Sequence, residues 1–161
     1  MITGNSGQRP FRVDRNFSEV RLLIASAEGI VSFGDAACAP SDYWVELREL
    51  EAGFRFPTSY KWWLSHYGGG EINGEEIFSV YELPLDQVMG GDAVAMSRRS
   101  GALDQGRMLL CWPNPSEQYY FRLDDPSQEK RVFWRSEADA DEEQYAESFA
   151  DFLVRRIEFW S

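Results

Sequence analysis

FRFPTSYKWWLSHYGGG, residues Phe54–Gly70, places Tyr60, Trp63, Leu64 and Tyr67 at i, i+3, i+4 and i+7. That spacing lines one face of a helix and predicts a helical segment over Pro57–Tyr67 with a single buried stripe. Pro57 suits the first turn, where its missing N–H costs nothing. Gly68 follows the last periodic residue and can take the left-handed conformation that ends a helix. Gly69 and Gly70 then let the chain turn sharply into an extended segment.

Upstream, Phe17, Val20, Leu23, Ile24 and Ala27 predict a first helix, and Ile30–Phe33 a short extended piece. A second helix is expected from Ser41, a good N-cap, with Tyr43, Leu47 and Leu50 on its buried face and Gly53 as its stop. Downstream the pattern turns strand-like. Asn73-Gly74 signals a tight turn before Glu76–Tyr81, and Leu85–Arg99 is ambiguous because Gly90-Gly91 interrupts it. Arg107–Trp112, Gln118–Leu123 and Arg131–Arg135 read as successive antiparallel strands, punctuated by Pro113-Asn114-Pro115 and Asp124-Asp125-Pro126. The chain closes on a helix with the apolar stripe Phe149, Phe152, Leu153, Ile157 and Trp160. Asp141 and Gln144 have capping-box spacing ahead of it, and Arg155 and Arg156 sit near its negative end. The expected architecture is therefore α+β: N-terminal helices packed on an antiparallel sheet and closed by a C-terminal helix. Residues 1–16 read as a flexible lead-in to one domain over 17–161.

Glu49, Gly53, Phe56-Pro57, Tyr60, Leu64 and the glycines from Gly68 resemble the hallmark segment of the SUKH superfamily, of the form E-x-x-x-G-x-x-[LF]-P-x-x-Y-x-x-[FW]-L-x-x-x-G-G. Ser148-Phe149 and Phe152-Leu153 resemble its closing helix. At Trp62 and Tyr67 this chain has aromatic residues where the family usually has polar ones. The resemblance implies an α+β fold. It also implies a non-catalytic role, either as an immunity protein that binds and neutralises a cognate toxin domain or as a regulatory scaffold binding an endogenous partner.

The net charge of −11 disfavours nucleic acid and anionic membranes as partners and can steer a basic protein into contact. Two distant cysteines, Cys38 and Cys111, fit a reducing compartment, with Cys111 in an apolar run. Without an apparent signal peptide or long apolar run, the expectation is a soluble cytoplasmic protein.

No catalytic motif stands out, and neither a cofactor nor a metal is expected. His66 is the single histidine, which excludes a two-histidine metal site or dyad, and its place near a helix C-terminus suits donation to open carbonyls. The triple glycine follows a helix instead of opening one, so it offers no phosphate cradle. An enzymatic reading would require a pocket lined by convergent titratable groups.

Binding is the better fit. Glu75, Glu76, Asp124 and Asp125 read as solvated surface carboxylates. Glu137, Asp139, Glu142 and Glu143 belong to an acidic run without an intervening base, either a solvated helix lead-in or a partner-facing patch. Trp62 falls nearly opposite the buried stripe of its helix: it is either covered by the first helix or the N-terminal segment, or left as an aromatic anchor for a partner. Tyr119 and Tyr120 alternate across a strand, so one of them, Tyr119 in this reading, is expected to face outward. The expected partner is a toxin domain; a nuclease, with a basic substrate groove, would complement an acidic surface.

Overall fold

A computed structural model describes residues 17–138 and 141–161. Within them lie five helices, α1 (Ser18–Ser26), α2 (Asp42–Ala52), α3 (Thr58–Tyr67), α4 (Ala93–Arg99) and α5 (Phe149–Trp160). Seven strands, β1 (Val31–Phe33), β2 (Gly70–Ile72), β3 (Glu75–Ile77), β4 (Arg107–Asn114), β5 (Glu117–Arg122), β6 (Val132–Ser136) and β7 (Glu142–Ala146), form one antiparallel sheet in chain order. The fold is α+β, with a C-terminal helix after the last strand. Residues 1–16, expected to be a flexible lead-in, lie outside the described residues.

The central helix forms as its sequence dictates. Tyr60, Trp63 and Leu64 are fully buried, and the Tyr60 hydroxyl donates to the Phe78 carbonyl at 2.7 Å. Phe149 of α5 meets Tyr60 and Trp63 edgewise or tilted, at centroid distances of 4.9 and 5.3 Å. Burying aromatics of this size stabilises by roughly 1.5–3 kcal/mol each. Gly68 ends the helix at φ 74°. Gly70 then pairs with Phe33 so closely that a Cβ there would lie 2.3 Å from the Ser32 carbonyl oxygen.

The hallmark residues are occupied in holding α2 against α3. The Glu49 carboxylate accepts from the Phe56 N–H at 2.7 Å and pairs with Lys61 at 2.8 Å. Gly53 turns the chain between the two helices at φ 81°.

The buried face of α2 differs from the expected one. Tyr43 and Leu50 are exposed, at 67% and 80%, while Arg48 and Ala52 are buried. The reason lies far away in sequence. Asp92, itself fully buried, pairs with the Arg48 Nε at 2.9 Å, and the guanidinium also donates to the Tyr81 and Leu83 carbonyls. Asp92 in turn caps α4 by accepting from Val94 and Ala95. An arginine with such partners takes the inner face and turns its apolar neighbours outward.

The C-terminal helix begins later than the Asp141/Gln144 spacing suggests. Glu142–Ala146 is strand β7, paired with β6, and the cap is Ser148, whose hydroxyl accepts from the Asp151 N–H. Asp151 accepts from the Glu147 N–H, completing a reciprocal arrangement. Tyr145 and Ala146 turn hydrophobic surface toward the core, which draws this acidic segment into the sheet instead of a helix.

Candidate functional site

At one end of the sheet, α5 overhangs β4–β7 and leaves an open cleft of about 500 Å³. Antiparallel register builds it: Tyr119 of β5 lies opposite Trp134 of β6, and Trp134 lies opposite Glu143 of β7. Two residues along their strands, Glu117 and Tyr145 share this face. Phe159 and Trp160, on the last turn of α5, form the opposing wall. Trp160 is 38% exposed and lines the cleft, so it is not the core residue its periodicity suggested.

Arg156 forms the floor. Its guanidinium donates to the Tyr119 hydroxyl at 3.0 Å and to Glu75 at 2.6 Å, and lies over the Tyr119 and Phe159 rings at 5.1 and 5.0 Å. Burial works against its charge, but the bond to Glu75 prevails and holds the group even more firmly protonated than usual. Arg156 is thus a buried partner of Glu75 and not, as its position suggested, a cation at the open end of the helix; Arg155 pairs with Asp151 at 3.0 Å. Glu117 accepts from the Asn114 amide and the Trp134 indole, both at 2.9 Å, and these two bonds lower its pKa. Burial raises the Tyr119 pKa well above the usual phenol range.

Three predicted partner-binding residues, Glu75, Tyr119 and Glu143, therefore meet in one cleft. Glu137 is exposed beside the β4–β5 turn, where its N–H donates to the Ser116 carbonyl, but it does not line the cleft. The other acids are placed elsewhere. Glu142 alternates to the opposite face of β7, where it accepts from the Tyr120 hydroxyl and pairs with Arg122. Asp124 is exposed but chelated by Arg122. Glu76 is exposed beside Glu71; partial burial, then that neighbour's charge, raises its pKa. Asp139 lies outside the described residues.

Three expectations need correction, the first that of Glu75, which is paired with Arg156 instead of solvated. Asp125 is buried, not solvated: its carboxylate accepts from the Ser127 and Arg131 N–H groups and from both side chains. Burial alone would raise its pKa, but these bonds hold it far below the usual carboxylate range. Of the two tyrosines, neither faces open solvent. Tyr119 is covered by α5, and Tyr120, on the other side, is covered by Arg107 and flanked by Phe133. Of the two readings of Trp62, the covered one holds: it is half-buried, with Phe17, at the start of α1, stacked on it at 4.4 Å.

Glu117, Trp134, Tyr145, Arg156 and Phe159 escaped the sequence reading. A signal existed for Arg156, which interrupts the apolar stripe between Leu153 and Ile157 and so had to find a buried acid. Glu117, Trp134 and Tyr145 depend on strand register, and Phe159 on how α5 lies over the sheet.

No helix among the described residues is long and apolar enough to cross a membrane, and no group of three or more His, Cys, Asp or Glu among them could hold a metal ion. A family model described as SMI1-KNR4 cell-wall, of the SUKH group, matches residues 42–153. No curated protein matches the chain.

Proposed function

Since the chain belongs to the SMI1-KNR4 (SUKH) family, we propose that it is an immunity protein that binds a toxin domain non-covalently through the face bearing the cleft. The observation that carries this reading is the cleft itself: aromatic walls, which supply contact area, inside an acidic rim, which supplies steering. Titratable groups do converge in it, yet three of them, Glu117, Tyr119 and Arg156, are pushed deeper into their ordinary charge states. Glu117 is lowered, while Tyr119 and Arg156 are raised. General acid–base work near neutrality needs the opposite tuning, so the arrangement favours recognition over catalysis. A nuclease domain, with a basic substrate groove, is the toxin class that best complements the rim.

Co-expression with the product of an adjacent toxin gene tests the reading, with growth rescue and co-purification as readouts. Rescue is expected, with association that slows as salt is added. A partner that co-purifies while its toxicity is unchanged would overturn the immunity reading in favour of a regulatory binding protein, the second role that the SUKH resemblance implies.

A further inference from the structure

We propose that the cleft is a socket for a single basic side chain of the partner, arginine above lysine, held between the aromatic walls and the carboxylates of Glu117 and Glu143. This rests on the reading that the cleft-bearing face meets a basic protein. Three carboxylates, Glu75, Glu117 and Glu143, line the cleft with one guanidinium. Arg156 and Glu75 neutralise each other at 2.6 Å. Glu117 is hydrogen-bonded by neutral groups, Asn114 and Trp134, with the Arg156 charge acting on it from farther away, and among the described residues neither it nor Glu143 forms an ion pair. Two negative charges are therefore left over in an aromatic cavity.

Trp134 and Tyr145 on the sheet, with Phe159 and Trp160 on α5, line the cleft with aromatic rings, the side-chain type whose π-system attracts a cation. The fold already holds a guanidinium in this way: Arg156 lies over Tyr119 and Phe159 while bonding a carboxylate. A planar guanidinium stacks on such faces and forks onto a carboxylate, which an ammonium cannot do. An anionic side chain would meet the two unneutralised carboxylates, and an aliphatic one would leave them desolvated without compensation.

The probe is N-acetyl-arginine amide, titrated into the full chain and followed through the Trp134 indole N–H and Tyr145 ring signals by NMR. N-acetyl-norleucine amide and N-acetyl-glutamate amide serve as comparators. Saturable shifts of those two residues with the arginine probe alone are expected, weakened about three- to tenfold in Glu143→Gln and in Glu117→Gln. Glu143 is exposed, so its variant retains the fold even if Glu117→Gln disturbs the β4–β5 turn. Equal binding of the norleucine probe, tighter binding of the glutamate probe, or an affinity indifferent to Glu143→Gln would each overturn the assignment. Growth rescue is measured alongside. Rescue without a saturable shift removes the socket and leaves the immunity reading; a saturable shift without rescue does the reverse.

Discussion

Replacing Asp92 should weaken the fold more than replacing any surface acid, and by an amount set by two separable roles. Asp92 and Arg48 are both fully buried, and the Asp92 carboxylate satisfies four donors: Arg48 Nε, the Tyr81 N–H, and the Val94 and Ala95 N–H groups that open α4. Asp92→Asn keeps an oxygen for the cap but turns an amide N–H toward Arg48 and Tyr81, leaving Glu51, at 3.0 Å and 26% exposed, as the one carboxylate still paired with the buried cation. Breaking one side of such a pair costs about 3–5 kcal/mol. Asp92→Ala removes the cap as well and should cost about 1 kcal/mol more. At roughly 2–4 °C per kcal/mol for a chain of this length, the asparagine variant should melt about 6–20 °C below the parent. Urea titration gives the free energies directly, with an unchanged slope showing that only stability has moved. The double variant Arg48→Met/Asp92→Asn should cost less than the two single changes added together, because it removes the buried cation. If Asp92→Asn melts within a degree or two of the parent, or if the double variant is strictly additive, the buried pair does not hold α2, the Tyr81 segment and α4 together as described.

Asp125 predicts an acid limb. Its folded pKa is depressed, so its contribution is fully present above the unfolded value, about 4, and fades as the pH falls below it toward the folded value. Asp125→Asn should flatten that loss in urea titrations between pH 5 and about 2; a variant with the same acid limb as the parent would assign the dependence to other carboxylates. The thiols should separate by a reaction with Ellman's reagent: Cys38, exposed, reacts in the native state, whereas Cys111, buried with its pKa pushed up to about 12 first by burial, reacts only after denaturation. Rapid modification of both under native conditions would contradict that burial. Gly70→Ala should disrupt the β1–β2 pairing, since the added carbon would meet backbone at 2.3 and 2.5 Å, whereas Gly74→Ala, also at a positive φ but in a turn with open space around it, should cost only about 1–2 kcal/mol. Equal melting points for the two variants would show that close approach at Gly70 is not limiting.

What could be read from the sequence was whatever depends on near neighbours. The α3 stripe, the stops at Gly53 and Gly68 and the turn at Asn73-Gly74 each follow from spacing or from a positive φ, and each occurs where expected. The misreadings share a different cause. On α2 the apolar stripe Tyr43, Leu47, Leu50 competed with Arg48, and the outcome was decided by Asp92, 44 residues away. Ahead of α5 the sequence holds two capping patterns. Asp141/Gln144 lost to Ser148/Asp151 because strand β6 offered Glu142–Ala146 a pairing edge. Alternation correctly put Tyr119 and Tyr120 on opposite faces of β5, but it could not foresee that arginine side chains, Arg107 over Tyr120 among them, would roof the second face.

The same division explains why the family motif reveals the fold and says nothing of the site. Glu49 holds the α2–α3 turn, Gly53 and Gly68 end helices, and Tyr60 ties α3 to the Phe78 carbonyl, so each hallmark residue is committed to structure. The cleft draws instead on Glu75, Glu117, Trp134, Glu143 and Arg156, from four strands and a helix, brought together only by antiparallel register and the overhang of α5. Of these, Arg156 and Glu75 are coupled to the core, whereas Glu117, Trp134 and Glu143 are at least partly exposed on strand faces. A fold arranged in this way can change the partner it recognises at the second set of positions while the first set keeps the scaffold intact. If the proposed binding role holds, this separates the residues that keep the scaffold from those that would meet the partner.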